Sequence, residues 1–204
     1  MIYTLIGSRE TPEDVLNIMR QFAYKAASKG YIGRSGGADG ADTCLENGVI
    51  GYVTNECLPL SKVNDLMEVY LPWKDFNGRN SGDYGYYTLP FMDNRLEAEN
   101  IAKELHPKWI LDIKIESGMI PKPKNWTPMR QGAKKLHTRN IYQVLGKDLN
   151  TPSKFIVCYG IPAKGSVIPK GGTRTACVLG QQHGVEIFNL YLPDHRKRVE
   201  EWVK

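Results

Sequence analysis

The chain has little that would mark it for a membrane, a metal or an extracellular disulfide framework. No stretch approaches the ~18 consecutive apolar residues of a membrane span, and the opening MIYTLIGSRE has neither the basic nor the apolar block of a signal peptide. The expectation is a cytoplasmic protein with no membrane partner. Its four cysteines, Cys44, Cys57, Cys158 and Cys177, form no CxxC pair. Its four histidines, His106, His137, His183 and His195, are scattered along the chain. Local metal-ligand spacing is therefore missing, no metal is expected, and the thiols are expected to be reduced and mostly in the core. Both GxGxxG and GxxxxGK[ST] are absent, which removes support from dinucleotide oxidoreductases and P-loop nucleotide hydrolases. Charge of one sign is not in large excess either. With 27 Lys and Arg against 22 Asp and Glu, the net charge of +5 is compatible with an anionic ligand or a nucleic acid but selects neither.

What is present is the pattern of an α/β protein. At 204 residues, 41% hydrophobic and 24% charged, the chain has an ordinary globular composition and the length of a single domain. IYTLI at 2–6 reads as a buried strand that stops at Gly7. A helix follows, entered at Thr11 and Pro12, with Val15, Ile18, Met19, Phe22 and Ala26 at helical spacing up to Gly30. The unit repeats as YIG, then GRSGGADGAD, then the helix begun by GADTCLENGV. LMEVYL at 66–71 reads as a third strand, and 72–90 as a long loop. Residues 92–107 read as a helix stopped by Pro107. Residues 109–128 read as an insertion, 130–149 as a helix ending near Gly146, FIVCYG at 155–160 as a central strand, and VEIFNL at 185–190 as another. Strands alternating with helices predict a Rossmann-like, open and mostly parallel sheet with helices on both faces.

Three strand ends carry small-residue turns that open into helices: IGSRE at 6–10, SGGADGAD at 35–42 and GGTRT at 171–175. In an open α/β sheet the strand carboxyl ends share one edge, so distant turns line one crevice where the strand order reverses. Helix N-termini there offer backbone N–H groups and partial positive charge to an anion, most naturally a phosphate. Each turn alone has an alternative in plain chain reversal, because glycine is the default wherever φ must be positive. Asp39, Asp42 and Glu46 lie close enough in sequence to be general-base candidates. Helix capping by Asp39 or Asp42, or a bond to a ribose hydroxyl, competes with that role. Trp73, Phe76 and Tyr84 are candidates either to stack on a base or to form a lid or subunit contact.

Together, the N-terminal strand with GSR, RSGGADGAD, LHTRNIYQVLG, PSKFIVCYG, GGTRTA and VEIFNL resemble the SLOG superfamily of Rossmann-like proteins. That grouping includes the DNA-processing protein A family and the Lonely Guy phosphoribohydrolases, and the chain looks most like small stand-alone members from bacteriophages. The resemblance covers most of the chain outside about 109–128. It implies a nucleotide or nucleotide-derived ligand at the strand carboxyl edge, with no other cofactor. It places Gly7, Ser8, Arg9, Ser35, Gly36, Gly37, Ala38 and Asp42 around that ligand, together with Gly171, Gly172 and Thr173. Arg139, Asn140 and Gln143 fit as further polar groups on one helix face, with a surface salt bridge the alternative for Arg139. Arg174 would add charge for a polyphosphate. A homo-oligomer is the expected assembly.

Where the Lonely Guy enzymes resemble one another in PGGxGTxxE, this chain has KGGTRTACVLG, and no carboxylate follows until Glu186. The glutamate expected for a phosphoribohydrolase is missing. Three readings stand at this point. The first is a sensing or sequestering protein for a phosphorylated nucleotide derivative, in a phage setting a host defence signal such as a cyclic nucleotide or cyclised ADP-ribose. The second is a hydrolase of a nucleotide glycosidic or phosphate bond that uses Asp39, Asp42 or Glu46. The third is a single-strand DNA handler that uses the basic stretch 122–139 and Trp126.

Overall fold

The computed structural model describes residues 1–116, 126 and 129–204, those of 106–116 by backbone alone. Twelve elements alternate along the chain: β1 (Ile2–Gly7), α1 (Glu13–Ser28), β2 (Ile32–Ser35), α2 (Thr43–Asn55), β3 (Met67–Leu71), β4 (Tyr86–Thr88), α3 (Arg95–Glu116), α4 (Gln131–Leu145), β5 (Phe155–Tyr159), α5 (Thr173–Gln182), β6 (Glu186–Asn189) and α6 (Pro193–Val203). The six strands form one sheet in the order β4-β3-β2-β1-β5-β6. Every neighbouring pair is parallel. The chain builds outward from β1 through β2 and β3 to β4, then crosses back to place β5 on the other side of β1. The strand order therefore reverses between β1 and β5, the position at which open α/β sheets bind ligands.

Side-chain alternation along the strands supplies a core to each face. Tyr3, Leu5 and Val157 point into a cluster with Val15, Met19 and Phe22 of α1 and with Leu45 and Val49 of α2; Val199 of α6 belongs to it too. Ile6, Ile156 and Cys158 point the other way, against Ala98 and Ala102 of α3, Ile141 and Leu145 of α4, and Ala176 and Cys177 of α5. The helices thus cover both faces, as the alternating pattern predicts. Cys44, Cys158 and Cys177 are buried and Cys57 is exposed, all as free thiols.

Arg34, inside the GRSGG motif, is a structural peg. Its side chain is 3% exposed and pairs with Glu68 of β3 (2.7 Å). It also donates to the carbonyls of Val144 (3.2 Å) and Thr151 (2.5 Å), at and just beyond the C-terminal end of α4. A cation at that negative end of the helix dipole is favourable. Gly146 turns there with φ +77°, and a Cβ on it would lie 2.3 Å from the Arg34 guanidinium. This peg fastens α4 across the sheet toward β2.

Two sequence expectations are corrected. Pro107 does not stop the third helix, since α3 continues to Glu116. Proline removes one N–H and crowds one carbonyl, a local cost that whole turns on both sides can outlast. The supposed loop 72–90 contains β4, a three-residue edge strand too short for its alternation to show in sequence. α6, on which the sequence reading carries no expectation, is begun by Pro193 in its first turn. Of the segment expected as an insertion, 109–116 extend α3 and Trp126 is buried; 117–125, 127 and 128 lie outside the described residues. No described helix is long and apolar enough to cross a membrane.

Candidate functional site

The three glycine turns meet at the carboxyl edge, and buried polar contacts join them. The first turn is bonded to the second by the Ala41 N–H, which donates to the Ser8 carbonyl (3.3 Å), and to β5 by the Ser8 N–H, which donates to the Tyr159 carbonyl (3.0 Å). Their approach is close: a Cβ on Gly7 would lie 2.7 Å from the Ala41 Cβ and 2.8 Å from the Tyr159 carbonyl oxygen. Gly40, at φ +81°, would meet Ser8 and Arg9 in the same way. Glycine at these positions therefore serves chain-on-chain packing.

Asp42 is the centre of the junction. One carboxylate oxygen accepts the Gly7 N–H (3.2 Å) and the other the Ala38 N–H (3.4 Å). The second oxygen also pairs with Arg139 of α4 at 3.0 Å, with 5% of the Asp42 side chain and 7% of the Arg139 side chain exposed. The carboxylate does not cap α2 with a side-chain hydrogen bond. Burial pushes the Asp42 pKa up, opposed by the Arg139 charge and the two N–H donors. Burial likewise pushes the Arg139 pKa down, opposed by Asp42, and the positive charge of Arg9 adds to the depression.

Arg139 explains Gly36. A Cβ at residue 36 would lie 1.1 Å from a guanidinium nitrogen, so only glycine leaves room for the arginine. With its amide turned to match its neighbours, Gln143 accepts from the Gly36 N–H and from Arg139, both at 3.0 Å, and donates to Asn140 Oδ1 at 3.0 Å. Asn140 in turn donates to the Gly172 carbonyl at 2.9 Å. One hydrogen-bonded chain thus runs from Gly7 through Asp42, Arg139, Gln143 and Asn140 to Gly172, across all three turns. Buried hydrogen-bonded networks of this kind favour a single geometry. Arg139 Nε has no partner among the described residues.

The sequence-nominated residues divide into two groups. Gly7, Ser35, Gly36, Gly37, Ala38, Asp42, Arg139, Asn140 and Gln143 form the scaffold of the crevice; of these all but Gly7 are buried, and Ser35 donates to the Leu5 and Asp42 carbonyls. Ser8, Arg9, Asp39, Gly171, Gly172, Thr173 and Arg174 retain surface. Nothing lies within 4 Å of a Cβ built on Gly171 or Gly172, so open space stands before the first turn of α5. The N–H groups that open α5 precede its intrahelical ladder, apart from that of Arg174, which bonds to the Gly171 carbonyl (3.2 Å).

The other candidates are engaged elsewhere. Glu46 pairs with Arg79 (2.6 Å) and accepts from the Tyr86 hydroxyl (3.0 Å). Burial raises its pKa against the pull of Arg79. Asn77 donates to the Gly37 carbonyl (3.0 Å) and to Asp39 (3.3 Å), so the 72–85 segment straps the second turn. Sequence reasoning missed Asn77 and Arg79, whose partners lie 33 to 40 residues earlier with no periodic signal. Phe76 is buried in the core and offers no face for a base, whereas Tyr84 is 48% exposed. Trp126 is 7% exposed, packs against α3 and α4, and donates to Glu99 (3.3 Å), which removes it as a platform for single-stranded DNA.

Two depressions lie away from this edge. One of about 490 Å³ is bordered by Arg20, Tyr24, Lys25, Asn47 and Lys204. The other, about 280 Å³, is walled by Phe22, Tyr31, Phe155, Phe188 and Trp202. Neither includes a helix N-terminus or a buried charge, so the carboxyl-edge crevice is the candidate site. Among the described residues no group of three or more His, Cys, Asp or Glu is placed to hold a metal ion. No protein-family model matches the chain, and no curated protein matches it significantly.

Proposed function

We propose that the protein binds a phosphorylated, nucleotide-derived small molecule in the carboxyl-edge crevice and holds it without cleaving it, as a sensing or sequestering protein. The observation that carries this reading is the open first turn of α5, where no atom lies within 4 Å of a Cβ on Gly171 or Gly172 and the leading N–H groups precede the intrahelical ladder. Arg139, buried and balanced by Asp42, fixes the turns on the same edge through Gln143 and Asn140. Arg9, in the first turn, is an exposed cation. An exposed cation and an open helix N-terminus at one sheet edge attract an anion, and phosphate is the anion such termini favour. Holding is favoured over hydrolysis because Asp42 and Glu46 already accept from two N–H groups, two arginines and a tyrosine hydroxyl. A carboxylate so engaged is a poor general base. The resemblance to SLOG proteins, with the catalytic glutamate of the Lonely Guy enzymes missing here, points the same way.

Thermal-shift screening against mono-, di- and cyclic nucleotides and ADP-ribose isomers, followed by chromatography of the incubated ligand, tests the reading. The expected result is stabilisation by a phosphorylated compound recovered intact. Gly172→Glu places an anion in open space before α5 and is expected to abolish that stabilisation with the unliganded melting temperature unchanged. Turnover of the ligand, or full binding by Gly172→Glu, would sink the proposal.

A further inference from the structure

We propose that the aromatic depression at the other end of the sheet is a second binding site, separate from the carboxyl-edge crevice, and that its ligand is a planar aromatic acid. Phe155 and Glu186 are the first residues of β5 and β6, and Met1 and Tyr31 directly precede β1 and β2. All four line this cavity, which therefore lies at the amino edge of the parallel strands, between the sheet and helices α1 and α6. Val157 and Val199, both buried, add aliphatic wall. The five aromatic residues of the cavity form one unbroken chain of ring contacts. Tyr31 stacks on Trp202 with centroids 6.4 Å apart, and Trp202 meets Phe22 at 4.6 Å. Phe22 then meets Phe155 edge-on at 6.1 Å, and Phe155 meets Phe188 edge-on at 6.1 Å. Tyr31, Phe155, Phe188 and Trp202 all keep surface, so this chain of rings is open to a ligand.

Size and lining define the ring system. An apolar cavity of about 150 Å³ holds benzene, so one of about 280 Å³ admits about two fused rings. Aromatic walls select flat rings over aliphatic ones, because offset-stacked and edge-to-face contacts attract beyond the area they bury. The mutual contacts of the five rings fix them before a ligand arrives, which lowers the ordering cost of binding. Charge defines the acid. Arg198 lines the cavity, lies over the Phe188 ring at 4.7 Å from its centroid and pairs through one nitrogen with Glu186 at 3.2 Å. The two side chains of that pair are 61% and 59% exposed. An ion pair so exposed contributes little, so a ligand carboxylate takes the guanidinium from Glu186 at small cost. Lys25 lies over the Trp202 ring at 5.6 Å from its centroid. The described residues that line the cavity or cover its rings thus carry two cations, Arg198 and Lys25, against the single carboxylate of Glu186. A bound acid balances that excess.

The test is calorimetric titration of the full chain with naphthoate, its neutral amide and its saturated counterpart decahydronaphthoate, repeated with Arg198→Ala and Val199→Phe, each checked for fold by circular dichroism. Naphthoate is expected to bind with a Kd of about 1 mM or below. It should bind about two- to tenfold more tightly than the saturated acid and about two- to fivefold more tightly than the amide. Arg198→Ala should erase the preference for acid over amide and keep the preference for flat rings. Val199→Phe fills the cavity and should abolish binding of all three compounds. In the wild type, naphthoate should move the backbone amide resonances of Tyr31, Phe188 and Trp202, a readout that needs no variant. Absence of binding at about 1 mM, equal affinity for flat and saturated acids, or equal affinity for acid and amide would overturn the proposal. Undiminished binding by a folded Val199→Phe, or resonance changes confined to the glycine turns, would do the same. Concentration-dependent dimerisation that moves these three resonances without ligand would assign the cavity to a contact between copies of the chain and overturn it as well.

Discussion

Gly36→Ala is the sharpest perturbation of the buried network, because it adds one methyl group and no charge. Its Cβ would lie 1.1 Å from an Arg139 guanidinium nitrogen and 2.4 Å from the Gln143 amide, so the arginine must leave its position. Asp42 then stays buried without its cation, a situation that costs about 3–5 kcal/mol. The Gly7 and Ala38 N–H groups still bond to the carboxylate, which places the cost near the lower figure. At about 2–4 °C per kcal/mol for a chain of this size, ~3 kcal/mol lowers the melting temperature by about 6–12 °C. The assay is reversible urea and thermal unfolding of wild type, Gly36→Ala, Arg139→Ala and the double variant. Once Arg139 is shortened the added methyl has room, so Gly36→Ala is expected to cost less than about 1 kcal/mol in that background, a coupling of about 2 kcal/mol. A Gly36→Ala melting temperature within 2 °C of wild type (roughly under 1 kcal/mol), or an equal cost in both backgrounds, would refute the assignment of this glycine to the arginine.

Burial holds the Asp42 and Glu46 pKa values above their ordinary 3.8 and 4.5. The unfolded chain therefore releases these protons first, and their stabilising contribution, present below about pH 4, is lost as the pH rises through the folded values. Arg139→Ala removes the cation that opposes the Asp42 rise, so its urea midpoint should fall more steeply than wild type between about pH 4 and 7; parallel profiles would contradict this. Arg79→Ala strips Glu46 of its ion pair and the strap of its anchor. It should cost about 3 kcal/mol and speed tryptic cleavage after Lys74, which unchanged proteolysis would disprove. Asn189→Ala removes the bonds that hold Gly160, Val167 and Tyr191, and should lower stability by about 2–4 kcal/mol in denaturant titration.

The fold was legible where a local signal existed. The apolar runs of β1, β3 and β5 and the helical spacing from Val15 to Ala26 mark elements whose burial pattern repeats at their own period. The crossovers between them imply a parallel sheet. β4 and the continuation of α3 past Pro107 were not legible, because one is three residues long and the other defies a local breaker with neighbouring turns. At the site, the sequence nominated residues by type but could not assign their roles. Arg139, Asn140 and Gln143 read as ligand groups, yet each also bonds to the protein.

The sequence by itself determined that small-residue turns lead into three of the helices and that the chain alternates strand and helix, since both follow from residue type and spacing over a few residues. Only the tertiary structure decided what the glycines are for. Gly36 makes room for an arginine 103 positions later in the chain, whereas Gly171 and Gly172 face open space, a distinction that depends on which distant atoms approach and not on the glycines themselves. The same holds for the aspartates of GGADGAD. Asp42 became the buried centre of a junction and Asp39 an exposed partner of the 72–85 strap because folding brought Arg139 to one and Asn77 to the other.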